Sequence, residues 1–271
     1  MSRVAILMCV YKNDSVAYLQ KALESLYAQS YKKSDIYVQC DGAVPAELEH
    51  YLQSELEAKR LCYLGKREEN RGLAASLNEL LEITLAKGYE FFMRMDADDI
   101  SEKDRLARQM VYMDSHPEVD ICGGYIEEFD TQSRHKQIIK YPHAHYEILE
   151  GMMRRNSMAH VSVLFRARFF KKAGLYDASK KNEDYELWIR GLKSGCRFAN
   201  LGRVLVHVRT SEAFFERRRD FARAYEVMLL KFDATRAFDF GLLGYLYAVA
   251  HFMLFMAPAW LKRALYKNLR S

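Results

Sequence analysis

Phe91-Phe92-Met93-Arg94-Met95-Asp96-Ala97-Asp98-Asp99 decides how this chain is read: an apolar run leads into three carboxylates within four positions. The run reads as a buried strand with the acids at its C-terminal end. In an open α/β sheet, ligands bind at the carboxyl ends of the strands. Crowded carboxylates repel one another unless a cation holds them. A hard divalent ion, Mg²⁺ or Mn²⁺, takes one or two carboxylates and fills its shell with water or phosphate oxygens. The stretch therefore points to a metal-bridged diphosphate. A plainer reading stands beside it. Asp favours turns and helix N-caps, so Asp99 and Ser101 could simply cap a helix starting near Glu102.

Working outward, strand and helix patterns alternate over the first 115 residues. Val4–Val10 is a continuous apolar run. Ser15 to Gln29 follows with helical spacing at Val16, Leu19, Leu23 and Leu26. Ile36–Cys40 is the next strand, followed by a helix from about Pro45, where proline is tolerated in the first turn. Leu61–Leu64 is a third strand. Asn70 to Lys87 is a helix with Leu73, Leu77, Leu80, Leu81 and Leu85 inward, ended by Gly88, and Glu90–Met95 is the fourth strand. This order predicts a mostly parallel sheet with right-handed crossovers.

The second half is less regular. Asp120–Phe129, Ser162–Phe165 and Arg197–Val208 read as strands, the last with a turn at Leu201-Gly202. Tyr146 to Met153 and Asp184 to Lys193 read as helices. The fold class expected is α/β, a Rossmann-like mostly parallel sheet with helices on both faces. It forms one domain over 1–210, with a nucleotide-binding half (1–115) and an acceptor-side half (116–210), and a helical tail occupies 211–271.

Half of the 271 residues are apolar and 28% are charged, which fits a globular core rather than disorder. The five cysteines (Cys9, Cys40, Cys62, Cys122, Cys196) are scattered, without a CxxC pair or a Cys/His cluster, so neither zinc nor a disulfide framework is indicated. Reduced cysteines in the cytosol are the expectation. The run Val4–Val10 is too short for a signal peptide. The net charge is +5, and after Asp239 four basic residues (Lys262, Arg263, Lys267, Arg270) stand without an acid. They lie beside a long apolar stretch rather than a polar groove, which argues against nucleic acid as a partner.

Two further motifs carry chemistry. Asn70-Arg71-Gly72-Leu73 opens a helix on the same rim as the acidic turn. Gly72 lets backbone approach a ligand, and a helix N-terminus favours phosphate. Arg71 could clasp a diphosphate or stack on a base. Asn182-Glu183-Asp184-Tyr185-Glu186-Leu187-Trp188 places several acids at a helix start. Dipole-favourable capping explains one of them, less naturally the adjacent pair. A carboxylate here could serve as general base toward a sugar hydroxyl, and Trp188 could offer its face to a sugar ring or pack in the core.

With these motifs in order, the chain resembles the family 2 glycosyltransferases, inverting nucleotide-sugar-dependent enzymes of the GT-A fold. It looks closest to those that build bacterial surface polysaccharides such as amylovoran and O-antigen repeat units. The resemblance covers about residues 3–210. It runs through Val10-Tyr11, Asp41-Gly42, Asn70-Arg71-Gly72-Leu73-Ala74, Asn78, Arg94 to Asp99, Arg105, Gln109, His160 to Arg166, Ala173 to Tyr176, Glu183 to Trp188 and Arg209. It implies that Tyr11 and Asp41 line the base and ribose pocket, that Arg71 lies near the base or diphosphate, and that Asn78 and Arg94 belong to the donor side. Asp96-Ala97-Asp98 matches the DXD motif, with Asp96 toward ribose and metal and Asp98 on the metal. Asp184 matches the catalytic base, and His160, Glu183 and Trp188 fall on the acceptor side. His207 ends the last core strand, from which such enzymes sometimes supply a further metal ligand, although a half-buried strand histidine reads equally well. The chain departs from the family pattern at Cys40, where an acid often stands, and at Val161, where proline often follows the histidine.

The function so implied is transfer of a hexose from a UDP-sugar, with Mn²⁺ or Mg²⁺, to a polyprenyl-diphosphate-linked saccharide. The competing readings are a nucleotidyltransferase, a nucleotide-sugar hydrolase, a non-catalytic sugar-nucleotide-binding module and a membrane-interaction protein. A nucleotidyltransferase would want a Gly-rich basic first loop, whereas Tyr11-Lys12-Asn13-Asp14 stands here. In the tail, Glu212 to Asp239 reads as a charged helix and Gly241–Ala257 as a 17-residue apolar run, short for a membrane span. Pro258–Arg270 puts Leu261, Leu265 and Leu269 on one face with Trp260 and Tyr266 beside them, the pattern of a helix lying in a membrane interface. The expected location is the cytoplasmic face of the inner membrane, held peripherally through this tail.

Overall fold

The computed structural model describes residues 2–130, 136–210 and 220–256. β1 (Val4–Tyr11), β2 (Ser34–Asp41), β3 (Tyr63–Lys66) and β4 (Phe91–Asp96) alternate with α1 (Val16–Tyr27), α2 (Ala46–Glu57) and α3 (Leu73–Ala86). All neighbouring pairs among these four strands are parallel, with β1 between β2 and β4. Strand alternation explains the layers. Val4, Ile6, Met8 and Val10 of β1 point to one face, where they meet α1 and α2. Ala5 and Leu7 point to the other, where they meet α3.

The starts of β3 and α3 come later than expected, each for a local reason. The third strand starts later than Leu61, because the Arg60 and Leu61 amides wrap back onto the Glu55 carbonyl at the end of α2. Helix α3 starts at Leu73 rather than Asn70, because Gly72 adopts φ +88° and the Arg71 and Gly72 amides turn to the Asp41 carboxylate (2.8 and 3.0 Å).

Beyond β4 the sheet is mixed. A two-residue β5 (Ile100–Ser101) precedes α4 (Arg105–Ser115), β6 (Ile121–Asp130), β7 (Lys136–Ile139) and α5 (His145–Arg154). A 3₁₀ turn (His160–Ser162) leads into β8 (Leu164–Arg166), α6 (Ala167–Ala173), α7 (Glu183–Lys193) and β9 (Phe198–Thr210). The strand order is β3-β2-β1-β4-β8-β6-β9-β5, with β7 on β6. β8 is antiparallel to β4 and β6, β9 is parallel to β6, and β5 is antiparallel to β9. The turn expected at Leu201-Gly202 is a bulge inside one long strand: Gly124 pairs with Leu201 and Tyr125 with Val204. β5, β7 and α6 have no counterpart in the sequence reading.

This order forces curvature. Four inter-strand steps separate β4 from β5, about 19 Å in a flat sheet. Only Ala97, Asp98 and Asp99 join them, a reach of at most about 14 Å from Asp96 to Ile100. The sheet must therefore curl, and the acidic turn spans the chord across its mouth.

Past β9 lie α8 (Phe221–Ala237) and α9 (Gly241–Met256). Helix α8 joins the core through Ala234. Helix α9 packs closely on α8, since a Cβ on Gly244 would strike the Thr235 side chain. Among the described residues no helix is long and apolar enough to cross a membrane. The interface helix expected over 258–270, and the first part of the charged helix, lie outside the described residues.

One buried clasp joins the two halves. Gln109 of α4 donates to the Cys122 carbonyl (2.6 Å) and the Ser162 carbonyl (2.9 Å), and its oxygen accepts from Arg105 Nε (3.2 Å). Gln109→Leu keeps the volume and removes both of these hydrogen bonds to the two carbonyls. Urea unfolding should show a loss of about 1–3 kcal/mol. An unchanged midpoint would mean that packing alone holds β6 against the 3₁₀ turn.

Candidate active site

The acidic turn is built on β4, whose apolar residues are fixed between β1 and β8, so Asp96 emerges opposite Cys9 at the sheet rim. Carboxylate oxygens of Asp96, Asp98 and Asp99 all lie within 4.8 Å of one another. Asp96 pairs with the Arg94 guanidinium. Asp99 is buried: its Oδ1 accepts from the Arg209 amide (2.8 Å), while its Oδ2 has no partner. Burial, and next the Asp96 charge, push the Asp98 carboxyl up to about 6 and hold Asp99 well above the ordinary carboxylate range. Three crowded acids with one buried oxygen unpartnered form an all-oxygen donor set that suits a hard divalent cation.

Arg209 locks this turn from β9. Its Nε donates to the Asp98 carbonyl (3.1 Å), and its guanidinium lies over the Tyr18 and Phe129 rings (3.8 and 4.8 Å to the centroids). Arg105, fully buried, donates to the Arg94 carbonyl (2.9 Å) from beneath. Burial, aided by Arg94, lowers the Arg105 guanidinium to about 9.

On the expected donor side, Tyr11 ends β1 opposite Asp41. The Tyr11 amide donates to Asp14 (2.9 Å), which closes the first turn. Asp41 has both oxygens engaged, by the amides of Arg71 and Gly72 and by the Arg67 guanidinium. Arg67 also bonds Ser76 (2.6 Å) and Glu79 (2.5 Å). Asp41 thus shapes the loop that presents Arg71, whose side chain is largely exposed and 3.5 Å from Glu79. Asn78 does not face this rim as a free group. Its amide bonds the Tyr176 carbonyl (2.8 Å) and the Tyr176 amide (2.9 Å), tying α3 to the loop before α7.

On the acceptor side, Glu183 and Asp184 open α7. Asp184 Oδ2 accepts from Asn156 Nδ2 (2.9 Å). Burial first, and then the Asp184 charge, raise Glu183 to about 7. His160 Nε2 shares a hydrogen bond with the Tyr176 hydroxyl (2.7 Å), and burial holds the imidazole neutral, with Arg94 adding to the effect. Burial raises the Tyr176 phenol far up; Arg94 opposes this, and Glu183 and Asp184 add to it. Tyr176 therefore stands within electrostatic reach of both the acidic strand end and the α7 carboxylates.

Two expected site residues lie elsewhere. Trp188 is fully buried among Phe165, Phe169 and Phe198, with His160 edge-on at 5.8 Å. It supports His160 from the core and offers no face to a sugar. His207 is held by two carboxylates, Glu102 at Nε2 (2.6 Å) and Glu127 at Nδ1 (3.0 Å), and does not belong to the acid trio. Its neighbours are set by β5, whose Ile100 pairs with His207 in register. Sequence reasoning gave no role to Arg67, Asn156 or Tyr176. Arg209 matched the family pattern but had no role there, and its pairing with Asp99 needs the β5–β9 pairing to be seen.

The family described as Glycosyl transferase family 2 matches residues 5–174. The UDP-Gal:alpha-D-GlcNAc-diphosphoundecaprenol beta-1,3-galactosyltransferase of Escherichia coli is 29% identical over 239 residues, 87% of this chain and 84% of that one. The amylovoran biosynthesis glycosyltransferase AmsE of Erwinia amylovora is 29% identical over 269 residues, 98% of this chain and 99% of that one. Among solved structures, the Pyrobaculum calidifontis mannosyltransferase PcManGT, in complex with GDP-Man and Mn²⁺, superposes with a TM-score of 0.66 at 17% identity, over 98% of this chain and 79% of that one. The curled, mostly parallel sheet is the GT-A fold.

The clasp at Asn78 yields a test. Asn78→Ala removes two hydrogen bonds, so thermal unfolding should come about 4–8 °C earlier. Nucleoside diphosphate affinity by calorimetry should stay within about twofold. Weaker affinity with unchanged melting would return Asn78 to the donor site.

Proposed function

The chain belongs to glycosyl transferase family 2, and from that membership we propose that it moves a hexose from a UDP-sugar to a hydroxyl of a polyprenyl-diphosphate-linked saccharide during synthesis of a bacterial surface polysaccharide. The observation that carries this reading is the gathering of Asp96, Asp98 and Asp99 within 4.8 Å at the C-terminal end of β4, on the rim shared with the Arg71 loop. The donor and acceptor classes are supported by the activity in the name of the Escherichia coli relative and by the amylovoran role in the name of the Erwinia one.

In this reading Asp96 and Asp98 hold a divalent ion, Mn²⁺ or Mg²⁺, which supplies Lewis-acid stabilisation of the charge on the departing nucleoside diphosphate. Tyr11 and the loop shaped by Asp41 receive the base and ribose. Arg71, exposed at the rim, exchanges its contact with Glu79 for the diphosphate. Asp184 takes the proton of the acceptor hydroxyl as that oxygen attacks the anomeric carbon opposite the leaving group. One in-line displacement inverts the configuration. Glu183, raised to about 7, is protonated in a large fraction of molecules near neutral pH, and in that form it donates a hydrogen to a second acceptor oxygen.

Asp184→Asn is nearly isosteric and a poor proton acceptor. Transfer should fall about 10²–10⁴-fold while donor binding persists. Asp98→Ala should lose transfer together with the Mn²⁺-dependent part of UDP binding. Full activity in EDTA contradicts the metal role, and donor turnover that ignores the acceptor favours hydrolysis.

We also infer peripheral contact with the cytoplasmic face of the inner membrane. Leu242, Leu246, Val249, Met253 and Met256 form an exposed apolar stripe on α9, with Leu242 75% and Met253 62% exposed. The stripe leads in sequence toward the four basic residues at 262–270. Each basic residue near an anionic surface contributes about 1 kcal/mol. The protein should float with anionic liposomes at low salt. Leu242→Ser with Leu246→Ser and Met253→Ser should leave most of it at the bottom of the gradient. A wild-type protein that ignores anionic liposomes ends this reading.

A further inference from the structure

Helix α8 carries a buried lysine that the transfer chemistry does not use. Lys231 is 2% exposed, and burial alone lowers its ammonium to about 8. An isolated buried ammonium is costly, and an apolar side chain of similar length would be cheaper there. Its hydrogen bonds show what it does. Nζ donates to the Met153 carbonyl (2.8 Å) and the Arg154 carbonyl (2.9 Å). The Tyr185 hydroxyl donates to the adjacent Met152 carbonyl (2.6 Å). The last carbonyls of α5 lack partners within their own helix and carry the negative end of its dipole, so a cation and a hydroxyl satisfy them.

Asn156 follows two residues after α5 ends. Its oxygen accepts from the Met158 amide (3.2 Å), which turns its nitrogen to Asp184 Oδ2 (2.9 Å). The same helix grips the other side of the base. Glu226 of α8 accepts from the amides of Lys181 and Asn182 (3.1 and 2.9 Å) and from the Asn182 side chain (2.7 Å), fixing the residue that caps α7 just before Glu183 and Asp184. His251 of α9 is kept neutral, first by burial and then by the charge of Lys231.

We propose that α8 is a brace for the general base: Lys231 is a positioning residue that fixes the end of α5 so that Asn156 orients Asp184, while Glu226 fixes the start of α7. This rests on the reading of Asp184 as the base. Removing the brace leaves the donor rim untouched and lets the base carboxylate turn away from the acceptor hydroxyl.

The test uses the full chain, UDP-sugar donor and saccharide acceptor. Lys231→Met and Asn156→Ala should each lower kcat about tenfold with donor KM unchanged, since small misplacements of a reacting group are costly. The double variant should be no worse than either single one, as expected of residues acting through one another. Lys231→Arg, which keeps a cation at the end of α5, should recover most of the rate. Additive losses, wild-type kcat in folded Lys231→Met, or a parallel rise in donor KM would overturn the proposal. If Lys231→Met does not fold, Lys231→Gln, whose amide still reaches one carbonyl, is read by the same criteria. Asp184→Asn is measured alongside. If it stays active, the base assignment itself fails; if it is inactive while the Lys231 variants match wild type, only the brace fails.

Discussion

Like-charge crowding at the end of β4 is the constraint around which the rest is arranged. Asp96, Asp98 and Asp99 cannot all be ionised side by side without help. Arg94 faces Asp96, the Arg209 amide faces one Asp99 oxygen, and the other Asp99 oxygen is buried without a partner. The three linking residues are also the chord that closes the curled sheet, because they join a central strand to the far edge. A longer, more relaxed turn would spread the acids and release the curl together. The fold and the acidic cluster are therefore one feature: pairing of β5 with β9 pulls Arg209 onto the turn, and the turn's shortness makes that pairing possible.

Around this turn, polar side chains that match the family pattern serve as joints. Asp41 holds a loop, Asn78 ties α3 to the segment before α7, and Gln109 ties α4 to β6 and the 3₁₀ turn. Each satisfies buried backbone groups that would otherwise cost free energy. In the proposed function the groups left to act on a substrate are fewer: the exposed Arg71, Asp96 and Asp98, and the carboxylates that open α7. Rigid joints beneath a small set of freer groups suit a site that must hold two substrates in line.

The parallel half was legible because its signals are local. Apolar runs of β1, β2 and β4 alternate with leucine-spaced helices, and the crossover rule then leaves little choice. The mixed half was harder. β5 is two residues long and exists only through its pairing with β9, so no window of sequence reveals it. The bulge at Gly202 looked like a turn because a glycine breaks the apolar run in either case. Site residues followed the same division. The acidic turn could be found from its own composition, including Asp99, whose plainer reading was a cap. Trp188 sits one turn beyond Asp184, but helical spacing does not say that an aromatic cluster from β8, α6 and β9 encloses it. His207 was expected to end the last strand but lies inside β9, which runs on to Thr210. Glu102 and Glu127, which claim its ring, come from segments far apart in sequence.

The most direct test of the acidic turn as a metal site is anomalous diffraction at the manganese edge from crystals grown with Mn²⁺ and UDP. The account predicts one strong peak within coordination distance, about 2.2 Å, of carboxylate oxygens from Asp96 and Asp98, with the UDP phosphates on its far side. A peak at His207 and its two glutamates, or UDP seated on the rim with no peak at the acidic turn, would contradict it.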